Sequence, residues 1–181
     1  MRGQRQRTLE NLERAKDDLA VSSRVEASIA FPALVGSIPS WSTQSGHYHV
    51  RFARSPDELA AAQRLRFEVF NVELGEGLEN SFELGLDSDE FDARCHHLLA
   101  EDLESGKIIA TYRLQTRELA AAGTGFYSER EFLMTTLNSQ LDEGVELGRA
   151  CIAKEHRGRR LLFMLWQGLG AYMLHNHKRF L

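Results

Sequence analysis

Residues 145–167 read VELGRACIAKEHRGRRLLFMLWQ, and this stretch decides the fold. Residues 145–153 alternate as a strand does, with Val145, Leu147 and Arg149 on one side and Glu146 on the other. Residues 158–175 then place Leu161, Leu162, Leu165, Leu169 and Tyr172 at helical spacing, an apolar stripe for burial. Between them lies a basic turn, His156-Arg157-Gly158-Arg159-Arg160. Backbone amides at a helix start, with arginines beside them, form an anion-binding site. A strand, a basic turn and a helix in succession argue for an α/β domain.

Upstream, the same signals recur. Asp142-Glu143-Gly144 is a turn, and Ser128 with Glu131 is a capping signal for a short helix over 129–137. Residues 96–103 and 107–115 read as two strands closed by Glu104-Ser105-Gly106, where glycine supplies the positive φ of a hairpin turn. Before them runs an acidic stretch, 73–92, with eight acids and neither Lys nor Arg. Glycines 75, 77 and 85 make it loop-like, and a charge block of this kind is ordinarily solvated. Ser55-Pro56-Asp57-Glu58 is a capping box with proline at the first helical position. It opens a helix over 56–72, with Leu59, Ala62, Leu65, Phe67, Val69 and Phe70 apolar and Arg64, Arg66 and Glu68 as polar insertions. Tyr48, Val50 and Phe52 alternate with His49, Arg51 and Ala53, a strand with one buried face. The order is β-α-(acidic loop)-β-β-α-β-α. Residues 178–181 read as the first of one more strand, so the sequence is expected to be truncated there, with its last strands missing.

Residues 1–45 read as a leader and 46–181 as the domain. In the leader, Leu9, Leu12, Ala15 and Leu19 recur at helical spacing behind Arg2, Arg5 and Arg7, and a Ser-rich segment with Pro32 and Pro39 is expected to be loop. Its functional reading is an amphipathic helix touching an anionic membrane surface; the plainer one is a loosely docked extension. The chain has 181 residues, room for one domain, and its net charge of -4 argues against nucleic-acid binding. No apolar run approaches the ~20 residues that span a bilayer. Two cysteines, Cys95 and Cys151, make no disulfide framework.

Six strings in order carry a resemblance: Arg66-Phe67-Glu68-Val69-Phe70; Asp89-Glu90-Phe91-Asp92 with Cys95-His96-His97-Leu98; Gly106 and Ala110-Thr111-Tyr112-Arg113-Leu114; Phe126-Tyr127-Ser128 with Glu131-Phe132; Glu146-Leu147-Gly148-Arg149; and Arg157-Gly158-Arg159 with Leu165-Trp166. Over 48–181 the chain resembles the ornithine N-acyltransferase branch of the GNAT superfamily, and is similar in skeleton to the autoinducer synthases. The latter typically carry a Trp after the first helix and Glu-x-Ser-Arg in the later strand. Here the tryptophans are Trp41 and Trp166, and the strand has Glu146-Leu147-Gly148-Arg149.

The resemblance implies a mixed, mostly antiparallel sheet flanked by helices. It also implies transfer of a 3-hydroxyacyl or related chain from acyl carrier protein to an amino-acid amine, ornithine first, in lyso-ornithine lipid synthesis. Acyl carrier protein is then partner and co-substrate, no cofactor is tightly bound, and the location is cytoplasmic, peripheral at the inner membrane. An autoinducer synthase and a non-catalytic chain that only binds acyl carrier protein are the rival readings.

The residues suit this chemistry. Amide formation from a thioester needs a neutral amine, a polarised carbonyl and near-attack geometry. Asp89 and Asp92, three apart, share a face in a helical turn and can orient a cationic amine. Glu146 can take the amine's proton, or be a surface partner of Arg149 or Arg113. Arg113 and Arg149 can grip a carboxylate in a bidentate fork, with Arg66 and Phe70 joining the substrate site by resemblance. Arg157, Gly158, Arg159 and Arg160 form the donor end, or a plain basic surface. The turn lacks the small residues of the usual coenzyme A loop, which favours a phosphopantetheine arm. Cys95-His96-His97 as nucleophile or zinc site is disfavoured, because alternation puts His96 opposite its neighbours, and no metal is expected.

Overall fold

A computed structural model describes residues 31–77 and 81–181. The predicted amphipathic helix of the leader lies outside the described residues. Five strands form one sheet in the order β1 (Ser42–Ser45), β2 (Tyr48–Phe52), β3 (His96–Asp102), β4 (Lys107–Thr116), β5 (Val145–Ile152), each antiparallel to its neighbour. The helices are α1 (Pro56–Arg66), α2 (Ser81–Leu84), α3 (Arg117–Ala121), α4 (Ser128–Glu131), α5 (Asn138–Asp142) and α6 (Arg159–His175). Helix α6 packs across β2 and β3, and α1 across β4, β3 and β5 on the other face. The α/β architecture expected from the sequence is the one observed.

Period-two alternation explains how each face is filled. Val50, Phe52, Leu98, Ala100, Ala110 and Leu114 meet Leu161, Met164, Leu165, Leu169 and Tyr172 of α6. Each such large side chain contributes about 1.5–3 kcal/mol by leaving water. Gly168 lets α6 approach closely, since a Cβ there would stand 2.7 Å from Leu98 Cδ1 and 3.0 Å from Trp41 Cζ3. The opposite face buries Ala53, Ala62 and Leu99, with Leu65, Val69 and Cys151 beside them. Leu162, expected in the α6 stripe, is 43% exposed. At 100° per residue it rotates away from the arc that 161, 165, 168, 169 and 172 share.

The capping box forms as read: Ser55 Oγ accepts from Glu58 N at 3.3 Å and Glu58 Oε2 accepts from Ser55 N at 3.1 Å. The 104–106 hairpin closes with Gly106 at φ 69°. Other expectations are corrected. The helix over 56–72 is α only to Arg66 and continues as a π-helix, Phe67–Glu73. The helix over 129–137 is one turn, α4, which ends where Phe132 becomes extended; a 3-10 turn, Thr135–Leu137, and α5 follow. Ser128 caps nothing at its start.

The sheet also begins earlier than Tyr48. Residues 42–45, read as loop, pair with β2, so position 45/46 falls within the β1–β2 hairpin. Ile38 is buried in the α6-side core and Trp41 packs on it. His96 ties this segment down, its Nε2 lying 2.7 Å from Ala33 O and its Nδ1 2.7 Å from Tyr172 Oη. A carbonyl only accepts, so Nε2 carries the proton and Nδ1 accepts from the tyrosine. Burial pushes His96 down to about 4, which agrees with a neutral ring.

Two features of β5 position the site. Arg113 pairs with Gly148 but Thr111 with Cys151, so β5 carries one extra residue, a bulge. Arg149 sits there at φ 46°, a left-handed conformation costly for a side-chain-bearing residue. The bulge overturns the expected alternation: Arg149 faces Asp87 and Asp89, on the same side as Glu146. At the strand's start, Val145 N donates to Phe180 O at 2.9 Å, and Phe180 makes a parallel bridge with Gly144.

Candidate active site

On the α1 face of the sheet, three arginines meet three aspartates. Arg66, the last α-helical residue before the π-helix, is 0% exposed although read as a polar insertion. Its Nε donates to Asp87 Oδ1 at 2.9 Å, Nη1 to Asp92 Oδ1 at 2.8 Å and Nη2 to Asp92 Oδ2 at 2.7 Å; Nη2 also reaches Asp87 O. Arg113 Nη1 donates to Asp89 at 2.6 and 2.7 Å and to Asp92 Oδ1 at 3.1 Å. Arg149 approaches more loosely, 3.6 Å from Asp87 Oδ1 and 3.8 Å from Asp89 Oδ2.

The acidic stretch is therefore not a solvated loop where it matters: Asp87 and Asp92 are buried and latch it to α1 and β4. Burial works against the charge on Asp92, yet the Arg66 fork, helped by Arg113, holds its carboxyl well below the usual carboxylate range. Arg66 and Arg113 are likewise held more basic against burial by these carboxylates. Asp89 and Asp92 do share a face, brought together on Arg113. Arg149, with 22% of its side chain exposed, is the arginine of the three most open to a ligand. Phe70, half-buried on the π-helix, lies with its ring 5.8 Å from the Arg149 guanidinium.

Glu146 pairs with neither Arg113 nor Arg149. Its Oε2 accepts from Tyr127 N at 2.9 Å and its Oε1 from Ser128 N at 2.7 Å. It thereby caps α4 from another strand, the role expected of Ser128. Tyr127 in turn packs edge-on against Phe91, whose ring lies under Arg113 and Arg130.

Successive residues of β5 line three openings. Val145, Glu146 and Leu147, with Phe126, Met134, Leu137 and others, border an apolar pocket of about 380 Å³. Glu146, Leu147 and Gly148, with Arg113, Gln115 and Ser128, border a polar nook of about 50 Å³. Ala150, Cys151 and Ile152, with Val69 and Phe70 of the π-helix and Leu74 just after it, border a groove of about 340 Å³ that includes Arg157. Beyond it, Gly158 caps α6 with no side-chain bond and Arg159 is exposed at the helix start. Arg160 donates to Ser45 Oγ at 2.6 Å.

Cys95 and Cys151 are buried thiols that burial pushes up to about 12, unsuited to nucleophilic attack. His97 donates from Nε2 to Asp92 O at 3.0 Å, away from His96, so the trio does not converge. Among the described residues no cluster of His, Cys, Asp and Glu could hold a metal ion. Sequence reasoning missed Asp87, Glu73 (the partner of Arg157), Gln115 and the amides of Tyr127 and Ser128. Only Asp87 had a signal, its spacing to Asp89 and Asp92.

A family model described as an acetyltransferase (GNAT) domain matches residues 65–167. A Brucella abortus protein named L-ornithine N(alpha)-acyltransferase is 40% identical over 138 residues, 70% of this chain and 48% of that protein. A Rhodobacter capsulatus protein of the same name is 38% identical over 135 residues, 70% of this chain and 51% of its own. One from Agrobacterium fabrum is 34% identical over 165 residues, 87% and 54% respectively. The chain spans about half the length of the curated relatives it matches. The crystal structure of the AHL synthase LasI superposes with a TM-score of 0.52 at 18% identity, covering 75% of this chain and 70% of that one, a likeness of fold.

Proposed function

The chain belongs to the GNAT acetyltransferase family, and from that premise we propose that it moves a fatty acyl group from acyl carrier protein to the α-amine of ornithine. The relatives' name supports the acceptor and the amide product. The observation that carries the reading is the order of openings along β5. The groove that includes Arg157 has a volume of about 340 Å³, room for a phosphopantetheine arm. The nook at Arg113, Gln115 and Glu146 is polar, and the pocket beyond Glu146 is apolar and large enough for a fatty chain.

In this arrangement the thioester carbonyl lies beside the Arg149 bulge, between arm and chain. Arg149 holds the acceptor's carboxylate, while the Asp89–Arg113 pair sets the charge of the nook. A carboxylate has about four acceptor positions and two on Glu146 are taken by amides, so it retains capacity to receive the amine's proton. The product, an N-acylated amino acid, would be the lyso-lipid of an ornithine-lipid sequence made in the cytoplasm at the inner membrane. No described helix is long and apolar enough to cross a membrane.

The test is incubation of the protein with acyl carrier protein carrying a 3-hydroxyacyl chain and single amino acids, following thiol release and product mass together. Acylated ornithine supports the proposal. Acylation of a different amine replaces the acceptor, and the absence of any acylated amine refutes the activity for this chain.

A further inference from the structure

Arg157 lines the β5 groove, but its guanidinium is already engaged. Nη1 donates to Glu73 Oε1 at 2.8 Å and Nη2 to Glu73 Oε2 at 2.6 Å, two parallel bonds, while Nε donates to Ile152 O at 3.1 Å. Glu73 is the last residue of the π-helix, which supplies Val69 and Phe70 to the opposite bank of the groove. The ion pair therefore bridges the two banks where an anionic arm would end. Both side chains remain open to water, 43% and 25% exposed. The neighbouring charges are Lys154, acting on Glu73, and Glu155, acting on Arg157.

The planar fork of an arginine fits a carboxylate or a phosphate in the same bidentate way, and it cannot hold both there at once. We infer that Glu73 is a specificity-determining residue for the acyl donor: it occupies the fork of Arg157 and yields it only to a ligand that brings its own phosphate. This rests on reading the groove as the donor site. An exposed ion pair opens readily in water, because its net contribution is small. A phosphate can thus displace the carboxylate, which swings into solvent. A phosphate-free arm leaves the pair closed and gains nothing from Arg157. The π-helix makes the arrangement local: the widened turn ends at Glu73, placing its carboxylate across from a residue 84 positions later.

The experiment is a chemical-shift titration of the whole chain with 4′-phosphopantetheine and, separately, with pantetheine. In Glu73→Gln the phosphorylated ligand should bind about two- to fivefold more tightly at low salt, the size of a lost exposed competitor. Pantetheine affinity should not change. The gain should vanish near 1 M salt, where screening acts over ~3 Å. It should also vanish when Arg157→Gln is added. An equal change for both ligands, or none, overturns the role of Glu73. Shifts at residues 69–73 and 150–152 on binding would in that case still uphold the groove. Failure of both ligands to bind overturns the groove reading and this inference together.

Discussion

Arg66→Met tests whether the buried ion network holds the acidic segment in place. The side chain is 0% exposed and its partners Asp87 and Asp92 are 0% and 2% exposed. Removing the guanidinium leaves two carboxylates without their main counter-charge, and one oxygen, Asp87 Oδ2, has no hydrogen-bond partner even in the intact site. Breaking a buried pair by deleting one partner costs about 3–5 kcal/mol. For a domain of this size that lowers Tm by about 6–20 °C. The loss should itself depend on pH. The depressed Asp92 carboxyl contributes stability that is present above its unfolded pKa, near ~3.9, and is lost as pH falls through its lower folded value. In the variant Asp92 is far less depressed, so the gap between the two proteins should hold from pH 7 to about 5 and narrow as the pH falls through and below ~3.9. Circular-dichroism melts at several pH values measure both. A loss below about 1 kcal/mol, or a gap that does not change with pH, would refute the argument.

Two further substitutions probe the neighbouring elements. Glu146→Gln keeps one carbonyl acceptor for two amides, so hydrogen exchange at Tyr127 and Ser128 should speed up together with a fall in turnover; unchanged exchange would remove the capping role. Gly168→Ala places a methyl 2.7 Å from Leu98 Cδ1 in a packed core, and should cost about 1–3 kcal/mol in denaturant unfolding; a neutral result would mean that Leu98 and Trp41 repack freely.

The candidate site was legible in part. Asp89 and Asp92, three residues apart, do converge, both on Arg113, because a tight turn brings positions three apart to one side. Their use was less legible. Arg113 reads equally well as a substrate clamp or as a salt bridge, and only the 2.6 Å distance to Asp89 shows which partner it has here. Glu146 reads as a base or a surface residue from alternation alone, and no spacing rule points to amides 18 and 19 positions away.

By itself the sequence determined the class, the order of β2 to β5 with α1 and α6, the Ser55–Glu58 cap, the 104–106 hairpin and which sides of β2 and α6 are largely apolar. These follow from periodicity, capping and glycine conformation, which act over a few residues and are therefore written locally. Only the tertiary structure decided that Arg66 is buried on aspartates 21 and 26 positions away, that α4 is capped from β5, that Arg149 occupies a bulge, and that Glu73 closes on Arg157. Those outcomes depend on charged groups from distant segments arriving together, whether buried as for Arg66 or at the surface as for Arg157, and no local pattern encodes that meeting.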